Sequence, residues 1–300
     1  MTRDKQKFYD KPVTKLILVT IAVTWMFPIF GFLLSSFRPG ESIKRTSWWD
    51  AIYTGTIWSE LSFDNYVEVF RAENLDRSFY NSLAVTIPST IIPITIAAFA
   101  AYAFAFMEFK GKDILFLFVV GSMIIPLQMS LIPLVQLFKD GIEIAGIPII
   151  PALDLNGTFV ATWFAHTGFG LPLATFLLRD FMMGLPKSVI ESAKIDGASH
   201  FTTFFRLVLP LSVAGIAAFG TFQFLWVYND FLVANVFLGI YRPENLVVTS
   251  HMSQIVVGRF GEAWHLRTSG AIISIIVPLA VFFGLQRFFI RGLIGGAVKG

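Results

Sequence analysis

The chain has no cysteine among its 300 residues, and only 14% of them are charged. The first absence excludes disulfides, thiolate metal sites and cysteine nucleophiles, and leaves the redox compartment open. The second falls well below the roughly 25% of an ordinary soluble chain. In exchange, 55% of the residues are hydrophobic, with 33 Phe, seven Trp and seven Tyr, more than one soluble core of this size buries. Mean hydropathy is +0.69. Low-complexity stretches are missing as well, so disordered and collagen-like classes fall away. The formal charge of +3 is small, and its meaning depends on where the basic residues lie.

A bilayer core about 30 Å thick takes roughly 20 apolar residues of helix. Six runs free of Asp, Glu, Lys and Arg are long enough: Lys15 to Arg38, Arg77 to Glu108, Asp113 to Lys139, Asp154 to Arg179, Arg206 to Asp230 and Arg267 to Arg287. The sequence therefore predicts an all-α polytopic membrane protein with six transmembrane helices, at 15–37, 81–107, 114–138, 157–178, 207–230 and 268–287. Between them lie an extracytoplasmic segment 38–80, a cytoplasmic loop 185–206, an extracytoplasmic loop 231–267 and a cytoplasmic tail 288–300. The side that holds both termini carries 14 Lys and Arg against 7 acids, and the other side 9 against 13, which makes both termini cytoplasmic. A nucleic-acid patch would not divide in this way. The first run, with bulky Trp25, Phe27 and Phe30 and no small-residue cleavage site after it, reads as an uncleaved span. Segment 38–80, with Trp48, Trp49 and Trp58, reads as short helices on the membrane face.

Pro28, Pro88, Pro93, Pro126, Pro133, Pro172 and Pro278 lie inside the runs. They fit either kinks absorbed by neighbouring helices or bent helices around a cavity that opens and closes. No repeat or inverted symmetry is visible, which argues against a secondary transporter built from two inverted halves.

The loop between the fourth and fifth spans is more than a connection. Pro186 suits a first helical position, and Val189, Ile190 and Ala193 then share one face. Gly197 accepts the positive φ of a sharp turn, after which a second helical stretch leads into the fifth span. The result is a helix-turn-helix elbow whose apolar face either rests on lipid or docks on a partner.

This loop resembles the signature of the membrane subunits of binding-protein-dependent ABC importers: Glu-Ala-Ala, three residues, Gly, nine residues, Ile, one residue, Leu-Pro. Glu191, Ala193, Gly197, Leu209 and Pro210 occupy the matching positions with the spacing intact, and Asp196, Ala198 and Phe205 fit its extended form in sugar importers. Ser192, Leu207 and Ala214 depart from it without removing the acid, the turn or the helix entry. Asn81-Ser82-Leu83, Ala100 to Ala103, Ile125-Pro126, Phe176 to Arg179, Trp226 with Asn229-Asp230, Gln286 to Phe289 and Gly296 to Gly300 extend the resemblance along nearly the whole chain. It is most similar to the second permease subunit of maltose-type carbohydrate importers.

The resemblance implies a type I importer permease fold in a prokaryotic plasma membrane. It implies a half-pore paired with a different permease subunit, over two copies of a cytoplasmic ATPase, fed with sugar by an extracytoplasmic solute-binding protein. It also implies that Val189, Glu191, Ala193, Asp196, Gly197, Ala198 and Phe205 form the ATPase-coupling loop, and that Val298, Lys299 and Gly300 reach the ATPase. ATP and Mg then belong to the partner. The chain itself has no phosphate-binding loop, since Gly111-Lys112 is followed by Asp113 without a glycine-rich lead, so it is expected to be no enzyme and to bind no cofactor or metal.

Sugars are held by amides, carboxylates and aromatic faces. Gln223, Trp226, Tyr228, Asn229 and Asp230 cluster in the fifth span and its outer end, although Trp226 and Tyr228 also suit interfacial anchoring; Gln128 and Asn156 are further candidates. His166 reads as a packing residue, because no carboxylate shares its span. Three rival readings remain: the same importer carrying a glycerol-phosphate or polyol-type solute, a membrane-embedded enzyme, and a proton-coupled secondary transporter. The runs contain no Arg or Lys for a phosphate ester, no acid cluster for catalysis and no carboxylate for proton coupling.

Overall fold

The computed structural model describes residues 12–71, 74–239, 241–257 and 263–297. They divide into two units, one within residues 12–76 and 252–276 and the other within residues 77–251 and 277–297.

In the first unit, α1 (Pro12–Ser36) presents almost every side chain outward. Four short helices follow: α2 (Gly40–Arg45), α3 (Trp48–Thr54), α4 (Ile57–Glu60) and α5 (Asp64–Arg71). Trp48 seats its ring against Phe27 and Phe30 of α1, 4.9 and 5.9 Å between centroids. Gly31 makes the room, since a Cβ there would lie 2.4 Å from the indole nitrogen. Arg38 is buried and holds the turn together: Nε donates to Glu60 Oε2 at 2.5 Å, Nη1 to the Thr46 carbonyl at 3.1 Å, and Nη2 to Thr46 Oγ1 at 2.6 Å. Asn65 Nδ2 donates to the Ser36 and Arg38 carbonyls at 2.9 and 2.8 Å.

The second unit contains most of α6 (Leu75–Phe106), then α7 (Lys112–Gly121) and α8 (Leu127–Asp140), and later α9 (Phe159–Met183) and α13 (Val213–Tyr228). The elbow between the last two comprises α10 (Lys187–Ile195), α11 (His200–Thr203), a wide turn at Phe204–Val208 and α12 (Leu209–Leu211). The connection after α13 adds α14 (Leu232–Ala234) and α15 (Val248–Val257), and the last helix is α16 (Trp264–Ala297). The main core is built from Ala97, Ala98, Ala101 and Tyr102 of α6, Ala174, Leu178 and Met182 of α9, Phe219 of α13, and Ile190, Phe204 and Val208 of the elbow. The row of alanines lets backbones approach closely, as membrane-helix interfaces require.

Three features differ from the sequence reading. The run expected as one span at 114–138 is a pair of helices, α7 and α8, bent by 104°. Pro126 lacks an N–H and forces Ile125 out of the helical region, to φ −71, ψ 118. The stretch into the fifth span is bent by 69° between His200–Leu211 and Val213–Tyr228, just after Pro210, so the elbow is not a straight continuation of α13. An antiparallel hairpin, β1 (Ile142–Ile144) and β2 (Ile147–Ile150), interrupts the all-α expectation. Ala145 and Gly146, at φ +52 and +80, supply the double positive φ that a two-residue hairpin turn demands.

Among the described residues, three helices are long and apolar enough to cross a membrane: Pro12–Ser36, Leu75–Phe106 and Trp264–Arg287. Counting each bent pair as one span makes five. The 25-residue α9 is outside that set; Thr162, His166, Thr167 and Thr175 lower its mean hydropathy.

Candidate functional site

The elbow starts at Pro186, which occupies the cap one position before the first helical residue, Lys187, rather than the first helical position itself, and its carbonyl accepts the Val189 N–H at 3.2 Å. It turns at Gly197, φ +75, where the Gly197 N–H donates to the Lys194 carbonyl at 3.1 Å and the Ala198 N–H to the Ala193 carbonyl at 2.9 Å. These paired bonds close the helix end around a left-handed residue, a conformation glycine adopts without strain. Ser199 then caps α11, its Oγ accepting from the Thr202 N–H at 3.2 Å.

Burial sorts the elbow into two faces. Ile190 and Ala193 turn inward and are buried by the chain itself, so Ala193 is not on the solvent side with Glu191 and Asp196. Val189 and Ala198 are half-buried at the edge, and Phe205 packs its ring against Phe99, Phe201 and Phe204. The outward face holds two residues the sequence reading passed over: Ile195, 85% exposed, and Phe201, 72% exposed. Their signal was available as apolar residues flanking a glycine turn in an otherwise polar stretch. Val298, Lys299 and Gly300 lie outside the described residues.

The second group of candidates separates on inspection. Gln223 is fully buried, its Nε2 donating to the Ser89 carbonyl at 3.2 Å. Gly170 makes space for it, since a Cβ there would stand 2.6 Å from Nε2. Tyr228 is buried and stacks on Phe224, centroids 5.9 Å apart. Trp226 is half-buried beside Phe222, whereas Asn229 is exposed and returns its amide to the Leu225 carbonyl. Gln128 is exposed at the start of α8 and is not part of this group, and Asn156 Nδ2 donates to the Val135 carbonyl at 2.9 Å.

Asp230 organises the C-terminal end of α13. Its Oδ2 accepts the Ala234 N–H at 2.9 Å, and its backbone carbonyl accepts Thr249 Oγ1 at 2.6 Å. His166 Nε2 lies 3.8 Å from the same Oδ2. The carboxylate that His166 lacks in its own helix thus comes from the end of α13, a neighbour no linear pattern reveals. Six buried groups here form no hydrogen bond within the chain: Ser89 Oγ, Thr162 Oγ1, Thr167 Oγ1, Gln223 Oε1, Tyr228 OH and the His166 ring. They give this part of the helix group a polar interior.

Comparison with known proteins puts this arrangement in context. The family described as "Binding-protein-dependent transport system inner membrane component" matches residues 93–295, a region that includes the whole elbow. The chain is 44% identical over 298 residues to the osmoprotective compounds uptake permease protein GgtD of Synechocystis, covering 99% of this chain and 95% of that one. It is 50% identical over 248 residues to the alpha-glucoside transport system permease protein AglG of Rhizobium meliloti, covering 83% of this chain and 63% of that one. A chain in the crystal structure of a bacterial ABC transporter involved in the import of the acidic polysaccharide alginate aligns with a TM-score of 0.71. That alignment covers 96% of this chain and 99% of the other at 16% identity, a likeness of fold alone. From the family match and from relatives similar along nearly its full length, the chain belongs to the binding-protein-dependent transport system inner membrane components, the permeases of ABC importers.

Proposed function

We propose that this chain is one half of the pore of an ATP-driven importer for a sugar or oligosaccharide delivered by an extracytoplasmic solute-binding protein. In this reading it crosses the membrane six times with both termini cytoplasmic, pairs with a different permease subunit, and is driven by two copies of a cytoplasmic ATPase that binds ATP and Mg. The observation that carries the coupling is the elbow, which buries one face on its own core while exposing Glu191, Ile195 and Phe201 around a left-handed Gly197. A surface helix meant for lipid would turn its apolar face outward, whereas here the inward face is filled and the tip presents a mixed acidic and apolar patch suited to a protein groove. The carbohydrate cargo is supported by the names of relatives, including one named for alpha-glucoside transport. A second reading, the same machine carrying a small polyol-type osmolyte, is favoured by the relative named for osmoprotective compounds uptake.

The test is co-purification with candidate ATPase and permease subunits, comparing the wild type with Gly197→Pro and Glu191→Arg. Both variants should lose ATPase capture and uptake; retention of both functions refutes the reading. A panel of sugars and polyols scored for binding-protein-stimulated ATP hydrolysis separates the two cargo classes.

A further inference from the structure

The elbow meets α6 through a compact set of rings. Tyr102 OH lies 3.0 Å from His200 Nδ1, and the Tyr102 ring meets Phe204 edge-on at 5.3 Å. Phe99, one turn earlier on α6, lies 4.8 Å from Phe204 and 6.0 Å from Phe205. Tyr102, Phe204 and Val208 are buried, and Ala97, Ala98 and Ala101 leave α6 smooth enough for the second limb to nest on it. The wide turn at Phe204–Val208 is the local irregularity that helices often carry at functional positions. By contrast, the path toward α13 is broken by the 69° bend. A displacement along the second limb therefore has only a minor component along α13, whereas close-packed rings transmit it sideways.

We propose that the elbow acts chiefly on α6, through an aromatic clasp in which Tyr102 and His200 are the positioning residues. This rests on the docking reading above: the ATPase moves the tip, and the clasp decides which helix follows. The first limb presses on the same core through Ile190, so both limbs converge on one cluster. The hydrogen bond fixes the register of the contact, and the rings supply its stiffness.

The experiment uses the complete transporter in vesicles and measures solute taken up per ATP hydrolysed. Tyr102→Phe keeps the ring and removes the hydroxyl, and it should lower that ratio about threefold, the value of one hydrogen bond, while ATPase capture stays intact. His200→Leu should give a similar loss, and the double variant should be no worse than either single change. His200→Gln, which restores a hydrogen-bonding group, should recover most of the ratio. Phe104→Leu is the control: Phe104 is buried on α6 but faces Phe109 and Phe116, and its replacement should leave the ratio unchanged. Normal ratios in Tyr102→Phe and His200→Leu, additive losses in the double variant, or an equal loss in the control would each overturn the clasp. Gly197→Pro and Glu191→Arg distinguish the two levels. If they capture the ATPase and transport normally, the docking reading itself fails. If they do not, while the Tyr102 variants stay normal, only the clasp fails.

Discussion

The segment around Arg38 and the elbow around Gly197 are both made of short helices and tight turns, yet they complete themselves differently. Arg38 is buried, ion-paired with Glu60 and bonded to Thr46, and the Asn65 amide closes two more carbonyls. Nothing polar is left waiting in that knot. The elbow closes its turn with the Gly197 and Ala198 N–H bonds and leaves Ile195 and Phe201 in the open. Both segments expose large apolar side chains, Trp58 and Phe63 in the one as Ile195 and Phe201 in the other, so the difference lies in what each buries: a matched ion pair in the first, and apolar side chains such as Ile190 and Phe204 in the second.

That contrast can be broken. Arg38→Ala should be the most damaging change, about 3 kcal/mol, because it strands Glu60 and removes the side-chain donor to the Thr46 carbonyl. The measurement is unfolding in detergent, and a loss under about 1 kcal/mol would mean the knot is not self-contained. Ile195→Ser with Phe201→Ser should do the reverse, moving the chain's own stability by less than about 0.5 kcal/mol. ATPase capture should weaken about tenfold or more, since two buried apolar side chains are lost from the contact. An unstable double variant with unaltered capture would invert the comparison.

A smaller effect is expected at the turn. Gly197→Ala keeps a side chain small but places a Cβ at φ +75, costing about 1 kcal/mol, with faster amide exchange confined to 193–198. The smallest lies at Tyr66 in α5, whose hydroxyl pairs with Ser36 Oγ at 2.5 Å. Burial pushes its pKa above the ordinary 10.0, and the Ser36 hydrogen bond pulls only partly against that. A raised folded pKa means the contribution is complete below pH 10 and fades as pH climbs through the folded value. Tyr66→Phe should therefore flatten the alkaline loss of stability of the wild type, and identical alkaline profiles would show that burial there is not felt.

How much of this was readable in advance follows from what kind of signal each feature leaves. The charge-free runs ending at Arg38, Glu108 and Arg287 correspond to the long helices α1, α6 and α16, because the cost of a charge in lipid is written into composition. Gly197 was readable because few residues tolerate its φ. The bends after Ile125 and Leu211 were not placed, since a proline inside a run signals a kink without saying whether neighbours absorb it. The facing of Ala193 inward was missed for another reason: an apolar stripe on a short helix does not say whether its cover is the same chain or a different one. His166 and Asp230 are 64 positions apart in sequence, and only the packing of α9 beside the end of α13 brings them within 3.8 Å.

The hairpin of β1 and β2 carries a consequence for the solubilised chain. Ile142, Ile144, Ile147, Ile149 and Ile150 are all exposed on a two-stranded ribbon whose outer edges are unpaired among the described residues. Such a ribbon is marginal in water and offers a ready template for a strand from elsewhere. Solubilised copies thus bear a sticky flag, and self-association through residues 142–150 is the expected route by which they lose dispersity.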